Sequence, residues 1–265
     1  MRFRARVVLV VLVALGLAAC SSKDSAAPPT PSTTAITGSI TVSAASSLTG
    51  AFTTIGARFE RANPGATVAF NFGSSGVLAT QIQHGAPVDT FASADTTTMD
   101  TLKTAGLVAG KPQVFARSRL VIVTKSGNPK GVKALSDIAT VGTVALCATT
   151  APCGKYAAQV LANAGVSIPE SRVTRGVDAK ATIAAVTTGD ADAAIVYVTD
   201  AKAAGTAVTS VPIALQDNVI AVYPIATLTA ANDAAVSKAF VEYVLSPKSQ
   251  AVLHGAGFLP AAPTP

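Results

Sequence analysis

The sequence predicts an α/β fold, and three observations carry that reading. Short apolar runs rich in Val, Ile and Ala recur along the chain and alternate with segments whose apolar residues fall at helical spacing. Turns rich in Gly, Ser and Pro separate the two kinds of segment. Hydrophobic residues make up 49% of the 265 and charged residues 13%, which supplies a core and excludes disorder for the body of the chain. Strand–helix alternation with such connections implies parallel sheets covered by helices. The length allows one large domain or two small ones, and no internal repeat is present.

In order, residues 39–45 read as a strand, and 47–61 as a helix with Leu48, Phe52, Ile55 and Phe59 on one face. Asn63-Pro64-Gly65 ends it. A strand follows at 66–72, a short helix at 75–84 and a strand at 89–94. Asp95 or Thr96 can cap a helix carrying Met99 and Leu102. Strands are predicted at 120–124, 143–147 and 193–198, with helices at 154–163 and 179–188 between the last two. A final apolar run at 219–227 leads into helices over 230–245 and 247–253.

The ends of the chain carry addresses rather than fold. Arg2, Arg4 and Arg6 precede an apolar run too short to span a bilayer, and Leu17-Ala18-Ala19-Cys20 closes it with small residues. Residues 1–19 read as a signal peptide, in preference to a membrane anchor helix. The three leader arginines account for half of the formal charge of +6, so the basicity gives no support to a nucleic-acid surface. Leu-Ala-Ala-Cys resembles the lipobox of bacterial lipoproteins, in which Cys20 would be acylated; the alternative is an ordinary cleavage site. Residues 20–38, rich in Ser, Ala, Pro and Thr, form a tether. Cys147 and Cys153 bracket five residues, and in an oxidising compartment that spacing predicts a local disulfide. With two histidines in the chain, His84 and His254, no zinc-type metal site is supported.

Three strand ends share a chemistry. Ser46-Ser47, Gly73-Ser74-Ser75-Gly76 and Thr150-Ala151-Pro152-Cys153-Gly154 each follow a predicted strand and open a helix. Helix N-termini at the carboxyl ends of strands present unpaired N–H groups to an anion, and serine adds a neutral O–H donor. Each turn taken alone has an ordinary explanation: Ser47 as an N-cap, Ser75 as loop chemistry, Tyr197 as a strand tyrosine satisfied locally. Their coincidence with an export signal reads as an exported, two-lobed binder of a small anion. Catalysis finds little support, because Gly73-Ser74-Ser75-Gly76-Val77 lacks the G-x-S-x-G spacing and no phosphate loop is present.

From about Ile40 to Phe258 the chain resembles the molybdate-binding proteins of ABC transporters. Val42-Ser43-Ala44-Ala45-Ser46-Ser47-Leu48 is similar to the family's V-F-A-A-A-S-L, and Phe72-Gly73-Ser74-Ser75 with Leu78, Gln81 and Ile82 to F-x-S-S-x-x-L-x-x-Q-I. Gly85-Ala86-Pro87-Val88-Asp89-Thr90-Phe91-Ala92-Ser93-Ala94-Asp95, followed by Met99-Asp100, is the most specific match. Pro152-Cys153-Gly154-Lys155-Tyr156-Ala157 and Ile195-Val196-Tyr197-Val198-Thr199-Asp200-Ala201 resemble P-A-G-x-Y-A and I-V-Y-x-S-D-A.

The resemblance implies a two-lobed periplasmic-binding-protein-like fold of type II, with the cleft between lobes and two crossovers. Lobe one would hold 39–119 plus 219–260, and lobe two 120–218. It implies an oxyanion held by Ser47 and Ser75 through hydroxyl and backbone N–H, by Cys153 and Ala179 through backbone N–H, and by the Tyr197 hydroxyl. Cys153 departs from the family's alanine, and Ala179 is placed by counting back from Tyr197. No cofactor and no metal beyond the molybdate or tungstate oxyanion is implied. The partners would be that anion, an ABC permease and the membrane through lipid on Cys20, the protein being an extracytoplasmic monomer without nucleic acid. Molybdate accepts hydrogen bonds and donates none, so neutral donors suit it. Protonated phosphate would want a carboxylate acceptor, for which Asp95 and Asp200 are available unless they cap helices. The alternatives are a receptor for sulfate or another tetrahedral oxyanion, an exported serine hydrolase using Ser75, and a ferric-ion binder, which would want more tyrosine, histidine or carboxylate ligands than surround Tyr197.

Overall fold

The computed structural model describes residues 35–262, so the leader, Cys20 and most of the tether lie outside the described residues. The body opens with strand β1 (Thr37–Ala45), a 3-10 turn at Ser46–Leu48 and helix α1 (Thr49–Ala62). There follow β2 (Gly65–Gly73), α2 (Ser75–Gln83), β3 (Thr90–Ala92), α3 (Thr96–Thr104) and a long β4 (Gln113–Lys125). The middle of the chain holds α4 (Leu135–Ile138), β5 (Val144–Cys147), α5 (Pro152–Asn163), β6 (Val173–Gly176), α6 (Ala179–Thr187), β7 (Ala193–Tyr197), α7 (Val198–Ala204) and β8 (Val208–Pro212). It closes with β9 (Ile220–Thr227), α8 (Ala234–Leu245) and α9 (Pro247–Gly255).

The strands join in the order β2-β1-β3-β9-β4-β7-β5-β6, with β8 on β4. The sheet is mixed, which corrects the expectation of parallel sheets. β1 pairs in parallel with β2 and β3, and β5 with β6 and β7. β9 runs antiparallel to β3 and β4, and β4 antiparallel to β7 and β8. The antiparallel centre arises because β4 and β9 carry the chain between the two parallel halves.

β4 changes partner along its length: Gln113–Arg119 lie against β9, whereas Leu120–Thr124 lie against β7. The strand therefore begins seven residues before the predicted Leu120, because its first half serves the other end of the sheet. At the change of partner the Asn218 side chain receives the Leu120 N–H at 3.1 Å and donates to the Leu120 carbonyl at 2.8 Å. That amide behaves as one more strand residue and ties the two crossing segments together. α8 starts at Ala234 rather than Ala230, because Asp233 caps it by accepting the Val236 N–H. α4, α7, β6 and β8 are too short for periodicity to reveal, and the sequence predicts none of them.

The largest buried cluster runs through both halves. Phe52 of α1 is wholly buried against Phe115, Phe240 and Phe70, at ring separations of 5.5, 6.2 and 6.2 Å. In the other half, Val121, Val123, Ala145, Ile183, Val186 and Val196 form a buried aliphatic cluster under α6. Burying each large side chain stabilises by about 1.5–3 kcal/mol, which holds the strand ends and their helix starts in fixed positions. Among the described residues, no helix is long and apolar enough to cross a membrane.

Candidate anion-binding site

The strand ends of both halves face a small, narrow cavity, and Ser47, Ser75, Cys153, Ala179 and Tyr197 all line it. Four of the five stand at or near helix starts. Ser47 lies in the 3-10 turn before α1, Ser75 is the first residue of α2, Cys153 the second of α5 and Ala179 the first of α6. The first N–H groups of a helix have no intrahelical acceptor and carry the positive end of the dipole. Tyr197 immediately precedes α7, at the end of β7.

The hydroxyls do not behave as ordinary caps. Neither the turn at Ser46–Leu48 nor α2 has a side-chain cap, so the N-cap explanation of Ser47 fails. Ser75, 1% exposed, accepts the Ala94 N–H at 3.0 Å, which leaves its own O–H as a donor. The Ser47 Oγ stands 3.1 Å from the Tyr223 phenol oxygen. Tyr197 is 1% exposed and its hydroxyl finds no hydrogen-bond partner among the described residues, contrary to the expectation of a locally satisfied strand tyrosine. An unpartnered buried hydroxyl costs about 1–3 kcal/mol. Its presence against the cavity fits a ligand that accepts hydrogen bonds. Burial also pushes the Tyr197 and Tyr223 phenols well above the usual range, so both keep their protons.

The turn that presents Cys153 is fixed twice. Cys147 at the end of β5 is joined to Cys153 by a disulfide, their Cα atoms 5.7 Å apart. A side chain at Gly154 would collide with the Ala148 carbonyl, so α5 begins directly against the end of β5. This leaves the Cys153 N–H, rather than its sulfur, as the group offered to the cavity.

Acceptors around the cavity are turned onto the protein. Asp178 lines it and caps α6 by accepting the Ala181 N–H at 2.8 Å. Asp95 caps α3 through the Thr98 N–H at 2.8 Å. Asp200 is not an N-cap: it sits three residues into the turn after Tyr197 and accepts the Tyr197 N–H at 3.1 Å. Neither Asp95 nor Asp200 lines the cavity. Sequence reasoning missed Asp178, which is a local cap of α6, and the Ala94 N–H and Tyr223, which act through contacts that only the fold creates.

Burial raises the Asp200 carboxyl to about 7, the backbone bond from Tyr197 opposing and nearby Asp178 adding to the rise. The folded protein then holds a proton that the unfolded chain releases above pH about 4. Stability is therefore fully present below that pH and declines as pH rises through 7. Asp200→Asn keeps an oxygen for the Tyr197 N–H and removes the titration. Thermal melts from pH 5 to 8 should show the parent losing stability relative to the Asn variant, and parallel curves would refute the buried proton.

Residues 40–259 match the family described as bacterial extracellular solute-binding protein. The chain belongs to that family. It is 39% identical over 252 residues to the molybdate-binding protein ModA of Mycobacterium tuberculosis, covering 95% of each chain. It is 31% identical over 231 residues to the molybdate-binding protein ModA of Haemophilus influenzae, covering 83% of this solute-binding chain and 89% of that one. Among solved structures, the periplasmic molybdate-binding protein of Azotobacter vinelandii matches with a TM-score of 0.76 at 22% identity, covering 85% of this chain and all of that one. The sulfate-binding protein SubI of Mycobacterium tuberculosis matches with a TM-score of 0.77 at 19% identity, covering 85% and 88%. Both likenesses concern the fold, which is the two-lobed type II arrangement with its cleft between lobes. The solute-binding family carries cargo and is not enzymatic, which sets aside the serine-hydrolase alternative.

Proposed function

We propose that this protein captures molybdate outside the cytoplasm and delivers it to the permease of an ABC importer. The observation that carries the reading is a cavity lined mainly by donors: two serine hydroxyls whose oxygens already have partners, a buried phenol without one, and the N–H groups of helix starts, with Asp178 as the one lining carboxylate. The names of the relatives at 39% and 31% identity support the same cargo. Hydrogen bonds to a charged acceptor are about twice as strong as neutral ones, so a dianion gains most from such a lining. A protonated oxyanion would have to place its hydrogen against another donor, because the one lining carboxylate, Asp178, is engaged by its own helix.

In this reading Ser47 and Ser75 hold the anion from lobe one, residues 39–119 plus 219–260. Cys153, Ala179 and Tyr197 hold it from lobe two, residues 120–218. The anion bridges the lobes and favours the closed form by its differential affinity, and the permease reads that form. Cys20 carries the lipid that keeps the monomer at the membrane, with the tether running from there to the start of β1 at Thr37. Tungstate, of the same charge and geometry, binds in the same way.

Calorimetric titration with molybdate, tungstate, sulfate and phosphate tests the reading. One-to-one binding of molybdate and tungstate, far tighter than of phosphate, is expected. Sulfate binding as tight as molybdate would turn the assignment to a sulfate receptor, and no binding of any of the four would remove it.

A further inference from the structure

We propose that Tyr223 is a positioning residue for anion capture, its phenol fixing the direction in which Ser47 presents its proton to the cavity. The inference rests on the reading of Ser47 as an anion donor and goes beyond it, because Tyr223 itself does not line the cavity. Tyr223 lies on β9, the returning crossover strand, opposite Ala116 of β4. Its ring is wholly buried, 5.1 Å from that of Phe258 and 6.3 Å from that of Phe115, so the phenol has little room to move.

Between the two hydroxyls either oxygen can donate. An anion in the cavity decides the matter: Ser47 gives its single proton to the anion, and Tyr223 gives its own to the Ser47 oxygen. Burial keeps that phenol protonated, so the donor is always available. A hydroxyl that accepts one hydrogen bond donates a stronger one, and chains of this kind reinforce one another in a low-dielectric site. Ser75 shows the same arrangement with a backbone donor, the Ala94 N–H. The Tyr223 ring also packs edge-on against Tyr197 at 5.8 Å, so one side chain locates donors from both halves of the sheet.

A double-mutant cycle on the full protein tests this, with molybdate titrated into the parent, Ser47→Ala, Tyr223→Phe and the double variant. Phenylalanine keeps the ring and its packing, so an unchanged thermal melt is expected. Ser47→Ala should weaken binding about 10- to 100-fold, and Tyr223→Phe about 3- to 10-fold by loss of the relayed hydrogen bond. In the Ser47→Ala background the second substitution should then change affinity by less than about twofold. An equal loss from Tyr223→Phe in both backgrounds would show that the phenol hydroxyl acts independently of Ser47 and overturn the proposal, as would unchanged affinity in the single variant. If Ser47→Ala leaves binding intact, the assignment of Ser47 as an anion donor fails instead, and the role of Tyr223 with it. A Tyr223→Phe protein that melts early yet shows the same coupling to Ser47 would still support the relay, because coupling is measured on the folded fraction.

Discussion

Tyr197→Phe should weaken molybdate binding by about 10- to 100-fold while leaving the ligand-free protein as stable as the parent or more so. The two halves of that expectation have one cause. The Tyr197 hydroxyl is buried and has no partner among the described residues, so in the free protein it contributes a desolvation cost and no compensating bond. Replacing it by hydrogen removes the cost and keeps the ring against Tyr156 and Tyr223, at 6.5 and 5.8 Å. With a dianion in the cavity the same hydroxyl becomes a charge-assisted donor, worth about 1.5–3 kcal/mol. Affinity and stability therefore move in opposite directions. Titration calorimetry gives the first and ligand-free thermal unfolding the second. A variant that loses both would mean that Tyr197 is a packing residue, and one that binds normally would remove its hydroxyl from the site.

Much of the candidate cavity lining is legible in the sequence because its residues are local. A serine or a backbone N–H at a helix start is fixed by the turn that contains it, and the turns at Ser47, Ser75 and Cys153 announce themselves by composition and by the strands before them. Ala179 was placed only by counting from Tyr197, yet both line the cavity, because α6 and the loop to β7 fix that spacing. What the sequence concealed was long-range. The partner of Ser47 lies 176 residues away, and that of Ser75 lies 19 away on the far side of β3. The first half of β4 was missed for a similar reason. Gln113, Arg117 and Arg119 interrupt its apolar pattern, and its stability comes from pairing with β9, a strand a hundred residues later. The neighbours of Asp200 alone suggest a cap, whereas its burial, which raises its pKa, depends on the packing of the whole crossover region.

Gly76→Ala should weaken molybdate binding about tenfold, again without loss of stability. Gly76 is the second residue of α2, in the half of the sheet that holds β1 and β2, and its position has helical rather than positive φ. Alanine there suits the helix better, by up to about 1 kcal/mol. Its Cβ, however, would stand 2.9 Å from the Thr150 carbonyl oxygen, which belongs to the turn between β5 and α5 in the other half. That approach is tighter than carbon and oxygen tolerate, and backbone on both sides limits relief. Since the contact joins the two halves, it exists only when they are together. Under the closure proposed above, the open form gains from the substitution and the closed form loses, so the population should shift against the form that holds the anion. About 1.4 kcal/mol against closure corresponds to tenfold in affinity, expressed mainly as faster release. Lys155 and Asp95 offer an internal comparison, since their ion pair of 3.7 Å spans the same two halves. With the ammonium half exposed, Lys155→Met should cost no more than a few-fold, and that loss should fade with added salt. The loss at Gly76 is steric and should persist unchanged from low salt to high. Equal affinity in the alanine variant would show that the Thr150 turn yields freely, and that closure does not depend on the missing side chain.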